Sequence, residues 1–203
     1  MPSVWWVLHG YRQLGSRFLR RFHEIAGPDR RILAPEALSR FYLAPGDRPH
    51  GEADPVGASW MTRVEREREI QDYVDYLDQA VADPRLDGVG SGSAVRTVLG
   101  FSQGVHTAAR WVALGQASCH RLILWGAALP PDLPDEAGAV FRDLELILVR
   151  GLDDPLRRKD EEAREEGTLE GWGVTWRTLT HPGRHEIDSD LLNRLAGEER
   201  SGS

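Results

Sequence analysis

The sequence has almost none of the residues that staple or anchor a protein from outside its core. Cys119 is the one cysteine in 203 residues, so an intrachain disulfide and a cysteine-rich zinc site are both excluded. Lysine is equally scarce: Lys159 stands alone among 25 basic residues, a bias that carries no functional reading. No stretch approaches the roughly 20 apolar residues of a membrane span. Met1 to Gly10 lacks the cationic start and apolar run of a signal peptide. The net charge of -7 and pI near 5.5 leave no general basic face for nucleic acid. Zinc-protease, EF-hand and phosphate-loop patterns are absent too. A cytoplasmic, reduced protein with no membrane span and no nucleic-acid partner is expected, and a homodimer is left open.

Hydrophobic residues make up 40% and charged residues 28%, a globular composition. A domain of this length should bury about 70% of its unfolded surface without a metal. One domain over residues 1–197 is expected, with 198–203 a flexible tail. Short apolar runs punctuate the chain at Val4–Leu8, Arg31–Ala34, Val95–Leu99, Leu122–Trp125, Leu144–Val149 and Val174–Leu179. Several are nearly continuous in apolar residues, the mark of strands covered on both faces. Helical patterns fall between them at Gln13–Ile25, Met61–Val81, Gln103–Leu114, Leu156–Gly167 and Asp188–Leu195. Strands alternating with helices predict an α/β fold, a mostly parallel sheet of about six or seven strands with helices on both faces. Functional loops then gather at the carboxyl ends of the strands. Leu43–Ser59 and Leu129–Gly138, rich in Pro and Gly, read as long loops that wall a pocket or simply connect elements.

The strongest chemical signal is Gly100-Phe101-Ser102-Gln103-Gly104, after one such strand and before a helix. In that context G-x-S-x-G puts a serine on a strained strand-to-helix turn, its oxygen exposed and a helix N-terminus behind it. A serine hydroxyl needs a base, and the base an orienting carboxylate. Candidates follow in the expected order of serine, acid and histidine. Asp153 and Asp154 come after the strand ending at Val149, and His181 and His185 after the strand ending near Leu179. On these grounds either aspartate and either histidine can serve.

With these stretches in view, the chain resembles the phospholipase/carboxylesterase family of α/β-hydrolases, which includes acyl-protein thioesterases. The matching segments are Leu8-His9-Gly10-Tyr11, Gly100-Phe101-Ser102-Gln103-Gly104, Gly151-Leu152-Asp153-Asp154-Pro155 and Gly183-Arg184-His185. The resemblance implies an α/β-hydrolase fold, Ser102 as nucleophile, Asp154 as acid and His185 as base. It also implies an oxyanion hole from the backbone N–H groups of Tyr11 and Gln103. Asp154 is selected because the family's acid stands three residues after the glycine and directly before proline. The expected function is a serine carboxylesterase acting on a small-molecule ester, with no cofactor or metal. The alternatives are an acyl thioesterase or lysophospholipase with the same triad, or a non-catalytic binding protein on this fold.

Arg12 and Arg184 depart from the pattern, each standing where a glycine is common. Trp60 and Met61 are candidates for the substrate-binding wall, with capping of the core as the alternative. His9 reads as a buried histidine holding the first loop, His106 as packed, and Cys119 as an inert thiol. Glu161-Glu162 and Glu165-Glu166 read as a solvated helix face.

Overall fold

The computed structural model describes residues 2–43, 46, 48–87 and 95–198. Among the described residues there are eight strands: β1 Ser3–Leu8, β2 Arg30–Leu33, β3 Ser39–Tyr42, β4 Val56–Ser59, β5 Val95–Phe101, β6 Arg121–Trp125, β7 Glu145–Gly151 and β8 Trp176–His181. The helices are α1 Gly15–Phe18, α2 Arg66–Ala82, α3 Pro84–Asp87, α4 Gln103–Leu114, α5 Ala137–Arg142, α6 Lys159–Gly171 and α7 Ser189–Glu198. Six strands form one parallel sheet in the order β2-β1-β5-β6-β7-β8, while β3 and β4 pair antiparallel as a separate hairpin.

The period of two along each central strand divides the core into two layers. Trp6, Val98, Leu122, Leu124, Leu146 and Leu148 face α2, α4 and α6. Their immediate neighbours Trp5, Leu99, Ile123, Trp125, Ile147 and Val149 face α7 and the Phe18–Ile25 segment. Trp6 packs edge-on to Trp111 of α4 at 5.6 Å, a geometry aromatic pairs favour. Every residue of β1 and β6 is buried, which is why those runs lack polar alternation.

Several elements differ from the sequence reading. Val56–Ser59, expected within a loop, is a strand paired to Ser39–Tyr42; Ala44, Pro45 and Asp47 of the same stretch lie outside the described residues. The helix expected over Gln13–Ile25 is a single α turn followed by a 3₁₀ turn at Leu19–Phe22. Gly15 there lies so close to the backbone of Ala34 and Pro35 that a Cβ would collide. The helix expected from Met61 starts at Arg66, because the chain through Met61 is held elsewhere, as described below. Helix α5 starts at the end of the stretch read as a loop, Leu129–Gly138, and runs on to Arg142, where no element is expected. Glu198, read as the start of the tail, ends α7 and pairs with Arg177 at 2.7 Å; residues 199–203 lie outside the described residues.

The topology fixes where ligands can gather. After β1 the chain moves outward to β2, then returns to add β5 on the other side of β1. Strand order reverses between β1 and β5, and the crevice beyond their carboxyl ends is the usual ligand site of open α/β sheets. Registers Leu8↔Gly100, Phe101↔Trp125 and Gly151↔His181 bring those ends into line.

Candidate active site

Ser102 occupies the sharp turn between β5 and α4 with φ 55 and ψ -119, a left-handed backbone. A non-glycine residue held there costs roughly 1–3 kcal/mol and persists only when its surroundings fix it. They do. The Ser102 N–H donates to Trp125 O at 2.9 Å, and the Val105 N–H donates to Ser102 O at 2.9 Å. A Cβ at Gly100 would collide with the backbone of Gly104, and one at Gly104 with Leu8 O. Both glycines of G-x-S-x-G are therefore demanded by close backbone approach.

Of the two adjacent aspartates, Asp154 is buried and Asp153 is exposed. Asp154 Oδ1 accepts the Leu156 N–H at 2.8 Å, and Oδ2 accepts the His185 Nδ1–H at 2.7 Å. With the proton on Nδ1, Nε2 of His185 carries the lone pair. That atom is buried and has no hydrogen-bond partner among the described residues. Phe101 backs the imidazole at 4.9 Å. Gly126, at φ +80, approaches it so closely that a Cβ would lie 3.2 Å from Cε1. His181 is instead the last residue of β8, buried beside Trp125, its Nδ1 accepting the Gly183 N–H at 3.2 Å. Ser102, Asp154 and His185 line one cavity of ≈ 180 Å³. Ser102 and His185 are not directly hydrogen-bonded there, and such bonds commonly close only when substrate binds.

Two loops meet at the mouth of β1 and β5. His9 is fully buried. Its Nδ1–H donates to Gly10 O at 2.9 Å and its Nε2 accepts the Ala37 N–H at 3.1 Å. The tautomer is thus set, and burial lowers the pKa despite Glu36 nearby. Gln13 Oε1 accepts the Gly10 N–H at 2.8 Å, shaping the turn that presents Tyr11. Arg12 has φ 68, which explains why glycine suits that position, and its side chain is exposed. Arg184 is exposed as well. The N–H groups of Tyr11 and Gln103 enter no hydrogen bond among the described residues.

The side chain of Gln103 binds the end of β4. Its Oε1 accepts the Trp60 N–H at 3.1 Å, and its Nε2 donates to Met61 O at 2.9 Å and Ser59 Oγ at 3.0 Å. Strand β4 in turn exchanges backbone bonds with the first loop: Arg12 N–H to Ala58 O at 2.9 Å, and Ala58 N–H to Gln13 O at 3.1 Å. The β3–β4 hairpin thereby straps the Tyr11 loop to the start of α4. Sequence reasoning missed this strap. Trp60 is 1% exposed, donates from Nε1 to His9 O at 2.8 Å, and packs on Tyr73. Met61 packs against the same core, its Sδ facing Arg110 Nη1 at 3.4 Å. Neither lines this cavity, and both pack against the core.

Residues not expected at the site form the rest of its wall. His106 lines the cavity one turn beyond Ser102, its pKa brought to about 4 by burial and then by Arg110, against Asp132. Arg150, Arg157 and Glu162 also line it. Glu165 corrects the reading of a wholly solvated α6: it is 2% exposed, forms an ion pair with Arg150 and accepts the Leu129 N–H at 2.8 Å. Among the described residues no group of three or more His, Cys, Asp or Glu is placed to hold a metal ion. Burial pushes the Cys119 thiol up to about 12, leaving no thiolate at neutral pH. No helix among the described residues is long and apolar enough to cross a membrane.

No protein-family model matches the chain, and no curated protein matches it. Solved structures do. SOBER1 of Arabidopsis thaliana superposes with TM-score 0.72 at 15% identity, covering 99% of each chain. Acyl-protein thioesterase 2 of Zea mays gives 0.69 at 12% identity over 98% of this chain and 93% of the other. Esterase PE8 gives 0.66 at 20% identity over 98% and 92%. The chain has the α/β-hydrolase fold, as the resemblance implied.

Proposed function

We propose that the protein is a serine carboxylesterase working through an acyl-serine intermediate, with Ser102 as nucleophile, His185 as base and Asp154 as its anchor. One observation carries the reading: a histidine bound at 2.7 Å to a buried aspartate, its other nitrogen unpartnered, in one cavity with a serine on a strained elbow.

Nε2 of His185 takes the Ser102 proton as Oγ attacks the ester carbonyl. Asp154 holds the imidazole in the Nδ1–H tautomer and stabilises the imidazolium. The carbonyl oxygen, now negative, receives the N–H groups of Tyr11 and Gln103, each donor worth on the order of 3 kcal/mol of barrier. Both belong to rigidly tied segments, so they need no reorganisation when charge develops. The tetrahedral intermediate expels the alcohol, which leaves with the proton from His185. Water, deprotonated by the same nitrogen, then releases the acid and restores Ser102.

A thioester would be attacked in the same way, and the maize thioesterase among the structural neighbours favours keeping that reading second. The test is hydrolysis of p-nitrophenyl butyrate by purified protein and by Ser102→Ala. Loss of at least about 10³-fold in kcat is expected; retained turnover contradicts the assignment. Rates on a butyryl thioester measured beside the oxygen ester rank the two substrate classes.

A further inference from the structure

Gly183, two residues before His185, is clamped by both of its backbone groups. Its N–H donates to Nδ1 of His181 at 3.2 Å, and its carbonyl accepts the Asp153 N–H at 3.3 Å. The first bond comes from the end of β8, the second from the loop that carries Asp154. Farther along, the Arg184 N–H donates to Glu186 Oε1 at 3.2 Å, and Trp125 Nε1 donates to Glu186 O at 2.9 Å. The turn also rides directly on the end of β7, where a Cβ at Gly151 would collide with Arg184 O. The course of the chain is therefore set on both sides of His185.

Within this clamp His181 carries a cost. It is 3% exposed and lies against Trp125 at 5.6 Å. Because Nδ1 accepts, the proton of the neutral ring is on Nε2, and that N–H is buried without a partner among the described residues. A buried donor left unmade is destabilising, and an apolar side chain of similar volume would avoid it. Gly183 is only half-buried, so water could serve its N–H in place of the imidazole. Burial alone gives no reason for a histidine here. What the imidazole adds is direction: water leaves the Gly183 N–H free to turn, whereas a ring packed at the end of a strand fixes it.

Resting on the esterase reading above, we propose that His181 is a positioning residue: by holding the Gly183 N–H it sets where His185 stands between Asp154 and Ser102. Misplacing a base by about 1 Å is enough to cost roughly 10²-fold in rate.

The test compares three substitutions at position 181 in the full chain, with p-nitrophenyl butyrate as substrate. His181→Leu removes the acceptor and the unpartnered donor together. It should lower kcat about 10- to 100-fold with KM changed less than about threefold, while melting within about 4 °C of the parent. His181→Gln places its amide where Nε2 stood and offers no acceptor at the δ position, so it should be equally slow. His181→Asn returns an oxygen to the Nδ1 position and should run at least about fivefold faster than His181→Leu. Unchanged kcat in folded His181→Leu and His181→Gln, or an Asn variant no faster than either, overturns the role of His181 while leaving the esterase reading intact. A kcat that falls only in step with the melting temperature makes the bond merely structural and overturns it too. No turnover by the parent protein overturns the esterase reading and this proposal with it.

Discussion

The backbone N–H of Trp60 is held by Oε1 of Gln103 at 3.1 Å, so the residue directly after the nucleophile is tied to a strand 43 positions earlier in the chain. Through Ala58, that strand holds Arg12, next to Tyr11. The two proposed oxyanion donors are thus fixed relative to each other by a side chain, although each acts through its backbone. Gln103→Leu keeps the backbone N–H but orphans the Trp60 N–H and leaves the Met61 carbonyl only the Ser59 hydroxyl as donor. It should lower kcat about 10- to 100-fold with KM changed far less, as expected for support realised in the transition state. Equal losses in thermal stability and KM with kcat intact would show a merely structural tie.

The buried carboxylate decides the second prediction. Asp154→Asn removes the charge that faces His185 Nδ1, whereas Asp153 is exposed and makes no contact with the imidazole. Asp154→Asn should cut kcat by about 10³–10⁴-fold, and Asp153→Asn by less than about threefold. Steady-state kinetics on one ester ranks them; the reverse order would exchange their roles.

His106 makes stability sensitive to acid. Its pKa in the fold is about 4 against an ordinary 6.5, set first by burial and then by Arg110. Between those values the unfolded chain binds a proton that the folded chain refuses. The contribution is therefore complete above pH 6.5 and is lost as pH falls toward 4, about 3 kcal/mol in all. His106→Gln should show a smaller drop in melting temperature between pH 7 and pH 4.5 than the parent protein. Parallel curves for the two would place the acid sensitivity elsewhere.

Gly126 is the fourth. Its φ of +80 disfavours any side chain, and a Cβ would press on the imidazole at 3.2 Å from Cε1. Gly126→Ala should cost about 1–2 kcal/mol of stability and at least about tenfold in kcat. Chemical denaturation and kinetics measure the two effects separately; unchanged kcat would mean that His185 has room to move.

The central sheet was legible because the centres of β1, β5, β6 and β7 are buried on both faces, so several of them show as nearly continuous apolar runs. The elbow was legible because only glycine tolerates the backbone contacts at 100 and 104. The β3–β4 hairpin was not. Val56-Gly57-Ala58-Ser59 has small residues and no alternation, and its pairing depends on Ser39–Tyr42 and on the Gln103 side chain, both distant in the chain. The Gln after the serine was the available signal: a long amide beside a nucleophile has to satisfy four hydrogen-bonding positions. Glu165 was hidden for a related reason. Nothing local separates it from the solvated Glu166; the difference is Arg150, which arrives from β7. Trp60 and Met61 could be placed near the site but not assigned a direction, since periodicity does not say which side of a strap a side chain faces.

A fluorophosphonate probe reacts with a serine only when a base and oxyanion donors act on it together. Incubation of the folded protein with such a probe, followed by peptide mass spectrometry, should place one covalent adduct on Ser102. The adduct should be absent in Ser102→Ala and much slower to form in His185→Ala. A folded protein that stays unlabelled, or labels at another residue, would contradict the account.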